Sequence, residues 1–210
     1  MTFVLAVDGP AGSGKSSVSK SAAKILGFGY LDTGAGYRAF TYHALQLPEA
    51  SIEELIESFD YEISLDPENP RVFLGGEEIT LRIRENDIAQ QVSRFAGEPA
   101  VRKLQRDDAR NRVLNSGSQG VVVEGRDITT VVFPDAQLRV LLTASEETRL
   151  MRRGLEQNES SENLMARDQS DSKVVDFFTP APGVILLDTT ELDFEQSVLA
   201  LVDLYREVTK

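Results

Sequence analysis

The chain of 210 residues has no cysteine and no tryptophan, a single histidine and three methionines. Without cysteine there are no disulfides, no thiol nucleophiles and no cysteine-ligated metals, and the composition suits a reducing cytosol. One histidine rules out a histidine-rich zinc site and makes any triad depend on that residue; the place of His43 in a helical pattern marks it as a packed or surface residue. No apolar run approaches the roughly 18 residues of a membrane span. The apolar run at the start is short and lacks basic flanks, so it does not read as a signal peptide. Positive charge is scarce. A net charge of −12 argues against a surface for nucleic-acid polymers but leaves room for a local cationic pocket. The cations are mostly arginine, 16 against 6 lysines. Arginine's planar fork binds phosphate through two bonds, where lysine acts as a point charge.

What is present is ordinary in bulk: 41% hydrophobic and 27% charged residues, in a length that predicts one domain with a real core. The informative stretch is Gly9-Pro10-Ala11-Gly12-Ser13-Gly14-Lys15-Ser16. It follows the apolar run Phe3–Val7 and opens a helical pattern through Val18, Ala22, Ala23, Ile25 and Leu26. Strand, glycine-rich turn and helix is the setting that the phosphate-binding pattern G-x-x-x-x-G-K-S/T requires. Glycines let successive N–H groups turn inward toward phosphate oxygens, and the positive end of the helix dipole adds to that field. In that pattern Lys15 reaches the β- and γ-phosphates and the Ser16 hydroxyl sits on Mg²⁺.

The rest of the chain repeats the theme. Phe28–Asp32 reads as a second strand and Thr33–Arg38 as the start of a helix, with Asp32 and Thr33 at its cap. Arg38, one turn in, is placed equally well for an anion at that end or for solvent. From about Glu53 to Ile83 the alternation lapses into short antiparallel strands with a Gly75-Gly76 hairpin, read as an insertion. Ile88, Val92 and Ser93 follow at helical spacing. Pro99 starts a helix on which Arg102, Arg106 and Arg110 form one stripe, Arg106 being placed to pair with Asp107 or Asp108. Gly120–Val123 is a buried parallel strand, and the charged groups of Glu124-Gly125-Arg126-Asp127 at its end face the ligand edge of such a sheet. Leu138–Leu142 is the next strand, and Ser145 caps a helix carrying Arg149, Arg152 and Arg153 on one face. Val184–Asp188 is the last strand, and Asp193 with Gln196 forms a capping box for the final helix.

Five strand candidates separated by helices predict a parallel three-layer α/β/α sheet. A guanine-reading N-K-x-D signal is missing, and the size and charge do not suit an ATPase acting on DNA or RNA. A small-molecule kinase remains. The chain resembles the bacterial-type cytidylate kinases in an ordered set of motifs: Gly9–Ser17, Leu31–Ala39, Ile83-Arg84, Val92-Ser93, Val101-Arg102, Gly125-Arg126-Asp127, Thr130–Ala136 and Arg167-Asp168-Gln169-Ser170-Asp171-Ser172.

This resemblance implies a P-loop kinase that transfers the ATP γ-phosphoryl group to CMP or dCMP with Mg²⁺. Composition and charge predict a cytoplasmic protein without nucleic-acid or membrane partners, and the lack of an exposed coiled-coil seam predicts a monomer. The resemblance also implies a core of about residues 1–52, 98–148 and 180–210, a nucleoside-monophosphate insertion of about 53–97 and a lid of about 149–179. By motif, Gly9, Pro10, Ala11, Gly12, Ser13, Gly14, Lys15, Ser16 and Ser17 hold ATP, with Ser16 at the metal. Ser93, Arg102 and Asp127 read cytosine. Arg38 and Arg126 hold the CMP phosphate, Arg167 and Asp171 the sugar, and Thr33 contributes to substrate binding. Lys15, Arg38, Arg126, Arg149 and Arg153 are the catalytic set. Three departures stand out. Gly36 replaces a large apolar residue, a change expected to loosen that helix start. The lid between Arg153 and Arg167 is several residues short. Val174, beside Lys173, stands where the family has a phosphate-binding arginine.

Overall fold

The apolar run before the glycine-rich turn is strand β1 (Phe3–Asp8), the middle strand of a five-stranded sheet. The computed structural model describes residues 2–157 and 179–210, apart from the side chains of 153–157. The sheet order is β2 (Gly29–Asp32), β6 (Gly120–Gly125), β1, β7 (Leu138–Thr143) and β8 (Ile185–Asp188), and every neighbouring pair is parallel. All strands therefore end at one edge. In register, Asp8 lies opposite Gly125 and Asp32 opposite Glu124.

Continuous apolar strands follow from burial on both faces. Leu5, Val7, Val122, Val140 and Leu142 pack against Val18 and Ala22 of helix α1 (Lys15–Leu26) and Val198, Leu201 and Val202 of the last helix, α7 (Phe194–Val208). On the opposite face Val4, Ala6, Val121 and Val123 pack against Ala109 and Val113 of helix α5 (Pro99–Leu114) and against Ile128 and Val132. The alternation along β1 thus serves two helical layers, and the predicted three-layer architecture is found. Truncating fully buried Leu5 to alanine would cost about 2–5 kcal/mol through lost contacts and the cavity left.

The insertion begins after helix α2 (Thr33–Gln46) with α3 (Ile52–Glu57) and continues as a small antiparallel sheet of β3 (Tyr61–Ile63), β4 (Val72–Leu74) and β5 (Glu77–Glu78). Helix α3 is too short for apolar periodicity to reveal it; its one sequence signal is the capping box of Ser51 and Glu54. The insertion is pinned to the main sheet where the Tyr30 N–H donates to the Leu65 carbonyl at 2.8 Å. Ala35, Ala39, Val72, Ile79 and Ile83 form its own core against α2. A 3₁₀ turn, Arg82–Arg84, leads to α4 (Asn86–Ala96), which carries Ser93.

Helix α6 (Glu146–Gln157) starts where the Ser145 hydroxyl accepts from the Thr148 N–H at 3.2 Å, and α7 starts at the Asp193–Gln196 capping box, both as the sequence predicts. His43 is buried on α2 and bonded to Ser58 at 3.0 Å, a packed residue, with burial lowering its pKa. Among the described residues no helix is long and apolar enough to cross a membrane.

Candidate active site

The turn between β1 and α1 is shaped by close approach. A Cβ on Gly9 would lie 2.2 Å from the Leu142 carbonyl oxygen, and one on Gly12, whose φ is +75°, would lie 2.7 Å from that of Arg149. Gly14, at φ +86°, is the N-cap of α1 and supplies no side-chain cap. The first N–H groups of α1 are therefore left for an anion. The Ser13 hydroxyl is buried in the same turn with no hydrogen-bond partner among the described residues.

Lys15 opens α1, and its ammonium stands 3.6 Å from Glu124 at the end of β6. Burial lowers its pKa, with Glu124 opposing. Glu124 is 2% exposed and accepts from the Ser16 hydroxyl at 2.7 Å and the Tyr30 hydroxyl at 3.3 Å. Its carboxyl is pushed up, first by burial and then by the charge of Asp32, against the pull of Lys15 and Ser16.

Asp32, at the end of the adjacent strand, caps α2 by accepting from the Ala35 N–H at 3.0 Å and pairs with Arg84 at 3.3 Å. Burial alone would raise its pKa; Arg38, Arg84, Lys15 and the Ala35 N–H together hold it below the usual value. The Arg38 guanidinium folds back over the start of α2, its Nη1 lying 3.3 Å from where a Cβ on Gly34 would stand. Thus Lys15, Arg38 and Arg84 converge on two neighbouring carboxylates. Beyond Asp32 a cleft of about 260 Å³ opens between α1 and the insertion, lined by Ser17, Lys20, Arg71, Thr80 and Arg84.

On the other side of the loop, Asp8 is buried and accepts from the N–H groups of Ile128 and Thr129 at 2.8 and 2.9 Å and from the Thr129 hydroxyl at 2.6 Å. These bonds hold residues 128–132 in a π-helical turn, which the sequence does not announce. Arg110 closes the turn by donating to the carbonyls of Val132 and Val131 at 2.6 and 3.2 Å. The turn fixes the residues just before it. Arg126 donates to the Gly9 carbonyl at 3.3 Å, and Asp127 forms a 2.6 Å ion pair with Arg102 of α5. Burial raises the pKa of Asp127 although Arg102 opposes it. Tyr37 lies near this pair, its hydroxyl pushed up to about 12 by burial and then by the charge of Asp127.

The predicted residues thus divide. Gly9–Ser17, Arg38, Arg102, Arg126 and Asp127 gather at the carboxyl edge of the sheet. The Thr33 hydroxyl is engaged with the Glu124 carbonyl at 2.8 Å, so it ties the first residue of α2 to the end of β6. Arg149, almost fully buried, donates to the Ala11 carbonyl at 2.9 Å and so supports the loop from behind. The stripe on α5 splits three ways: Arg102 pairs with Asp127, Arg106 with Asp107 at 3.2 Å, and Arg110 with backbone. Ser93 is half-buried on α4 and makes no hydrogen bond to Arg102 or Asp127 among the described residues. The Arg153 side chain and Arg167, Asp171, Lys173 and Val174 lie outside what is described.

Two residues given no role of their own by the sequence prove central. Glu124 is placed by the sequence among the charged groups at the ligand edge, but its partners Lys15, Ser16 and Tyr30 are not. Arg152 donates to the carbonyls of Ser13, Thr189 and Leu192 at 3.3, 2.8 and 2.9 Å and to the Thr189 hydroxyl at 3.0 Å, which clamps the loop to the turn after β8. No local signal separates it from Arg149 and Arg153.

Comparison with known proteins gives the family and the fold. The profile of the family described as cytidylate kinase matches residues 5–207. A cytidylate kinase of Desulfitobacterium hafniense is 41% identical over 97% of this chain and 92% of its own length. One of Thermotoga maritima is 38% identical over 99% and 98%. Among solved structures, a gluconokinase from Sinorhizobium meliloti superposes with a TM-score of 0.55 at 14% identity, covering 99% of this chain and 94% of its own. A shikimate kinase from Bacteroides thetaiotaomicron gives 0.52 at 16%, covering 97% and 98%. At those identities the structural likeness speaks for the α/β fold alone.

Proposed function

We propose that this chain, which belongs to the cytidylate kinase family, transfers the γ-phosphoryl group of ATP to CMP and dCMP. The observation that carries the choice of acceptor is the Asp127–Arg102 pair, with Asp127 buried and Arg102 partly exposed, set one strand away from the phosphate-binding loop. Cytosine presents an amine donor where uracil presents a carbonyl acceptor. An ionised carboxylate held by an arginine accepts from the first and leaves the second unmatched, and a site left with an unpaired buried group rejects the wrong base strongly.

The donor side follows from the loop. The uncapped N–H groups of α1, the Ser13 hydroxyl and Lys15 supply hydrogen bonds and charge to the ATP phosphates. The Ser16 hydroxyl and the Glu124 carboxylate, 2.7 Å apart, fit a small hard cation held mainly by phosphate and water oxygens. Among the described residues no cluster of three or more acidic or histidine ligands exists, which suits such a site better than an all-protein cage. Mg²⁺, when bound with ATP, neutralises phosphate charge as the transfer proceeds.

The acceptor is a phosphate already ionised at neutral pH, so no general base is required. Asp32 is committed to Arg84 and its helix cap, Glu124 to Lys15 and Ser16, and Asp127 to Arg102. Catalysis then rests on alignment and on charge from Lys15, Arg38 and Arg126. In this reading residues of about 53–97 carry the acceptor and those of about 149–179 form the lid that excludes water. The test is ADP release with CMP, dCMP, UMP and AMP as acceptors. CMP and dCMP far ahead of the others is the expected result, and equal turnover of CMP and UMP would overturn the choice of base.

A further inference from the structure

We propose that Gln105 is a positioning residue that locks the helix carrying Arg38 to the helix carrying Arg102, so that the phosphate and the base of the acceptor are held in one register. The inference rests on the reading of CMP as acceptor. Gln105 lies three residues after Arg102 on α5, hence on the same face of that helix. It is 6% exposed, and its amide donates to the Gly36 carbonyl in the first turn of α2 at 3.2 Å. Gly36 precedes Arg38 by two residues. The bond therefore joins the backbone beside the phosphate-holding arginine to the helix of the base-reading arginine.

The fit leaves no room for another side chain. A Cβ on Gly36 would stand 2.3 Å from the Gln105 Oε1 and 3.2 Å from the Tyr61 hydroxyl, whose ring stacks on Phe59 in the insertion. Glycine at 36 and glutamine at 105 form a matched pair. The helix start that a glycine was expected to loosen runs unbroken from Thr33 and is tied across to α5 instead. A buried amide bonded to a backbone carbonyl specifies one relative placement of two helices; an apolar contact of the same area allows sliding.

The test measures KM for CMP, KM for ATP, kcat and thermal stability in Gln105→Leu, Gln105→Ala, Gly36→Ala and the Gly36→Ala/Gln105→Ala double variant. Wild-type turnover of CMP is the control: its absence defeats the functional reading itself, before the role of Gln105 arises. Given that turnover, Gln105→Leu is expected to raise KM for CMP about tenfold or more while KM for ATP stays within twofold. Gly36→Ala is expected to do the same by displacing the amide, and to add nothing in the Gln105→Ala background. Should Gln105→Leu fail to fold, Gly36→Ala and the double variant decide. The proposal is overturned if KM for CMP stays within twofold of wild type. It is equally overturned if the KM values for CMP and ATP rise together with a fall in stability, or if the Gly36→Ala defect persists undiminished in the Gln105→Ala background.

Discussion

Asp32 and Glu124 lie opposite one another at the ends of adjacent parallel strands, yet their pKa values are shifted in opposite directions, Asp32 down and Glu124 up. Both are buried. Asp32 is surrounded by Arg38, Arg84, Lys15 and a helix N–H, which outweigh its desolvation. Glu124 has Lys15 and two hydroxyl donors, and it also feels the charge of Asp32. Neighbouring titratable groups pushed apart in this way mark different roles. Asp32 is a fixed anion that organises cations, while Glu124 holds its carboxylate against the Ser16 hydroxyl, the metal contact proposed above.

Replacing Glu124 by glutamine tests that role. The amide oxygen still accepts from Ser16, so the fold is retained while the charge is lost. We expect the Mg²⁺ concentration for half-maximal activity to rise, by about 10–100-fold as for other groups that support a metal indirectly. A Mg²⁺ titration of ADP formation at saturating ATP checks this, and an unchanged midpoint would exclude Glu124 from metal support.

In the proposed donor site, Lys15→Ala removes the charge that would face the β- and γ-phosphates. A transition-state contact of this kind is worth about 3–4 kcal/mol, a few hundredfold in kcat. Circular dichroism should show an intact fold. Near-normal turnover in a folded variant would contradict the assignment of the loop.

The proposed base site at Asp127 has an expected pH signature. Burial raises the pKa of Asp127 in the folded protein, so its ionised acceptor form is complete only above that raised value and is lost as the pH falls through it. KM for CMP should therefore climb on acidification at a higher pH than the ordinary aspartate value of 3.8 would give. Asp127→Asn should remove the part of the climb due to Asp127, leaving the part due to the phosphate of the nucleotide, which UMP shares, and narrow the preference for CMP over UMP, because an amide can also donate to uracil. KM profiles for both nucleotides from pH 4 to pH 8 read this directly.

Thr129→Val removes one of the three hydrogen bonds to Asp8. Burial makes Asp8 hold its proton to higher pH in the folded chain than in the unfolded one, so ionising it costs stability as pH rises. The hydroxyl offsets part of that cost. Its loss should destabilise the protein by about 1.5–3 kcal/mol where Asp8 is ionised. The effect should shrink toward the pH range in which Asp8 is protonated in both states. Urea unfolding at pH 4 and pH 8 measures the difference, and an equal loss at both would show that Asp8 is not the partner that matters.

The five strands of the main sheet, the phosphate loop and the caps at Ser145 and Asp193 are written in the sequence, each in spacing within one element or in a short motif at its end. Arg126 and Asp127 are legible there as charged groups at the ligand edge of the sheet, while Arg38 and Arg102 are singled out only by the family resemblance. The sequence cannot distribute long side chains. Arg102, Arg106 and Arg110 have one spacing and three different partners, drawn from residues 25 positions away, one position away and 22 positions away. Arg149 and Arg152 both turn inward to hold loop carbonyls, and Thr33 ties the start of α2 to the end of β6.

Tertiary structure alone decided that Glu124 meets Ser16 across 108 positions, that Asp8 draws residues 128–132 into a π turn, and that Gln105 fills the space over Gly36. Helix periodicity and turn chemistry act over a few residues, and so can be read locally. A buried carboxylate or amide must find its partner wherever packing places one, and in a parallel sheet the crossover helices bring together strand ends that are far apart along the chain.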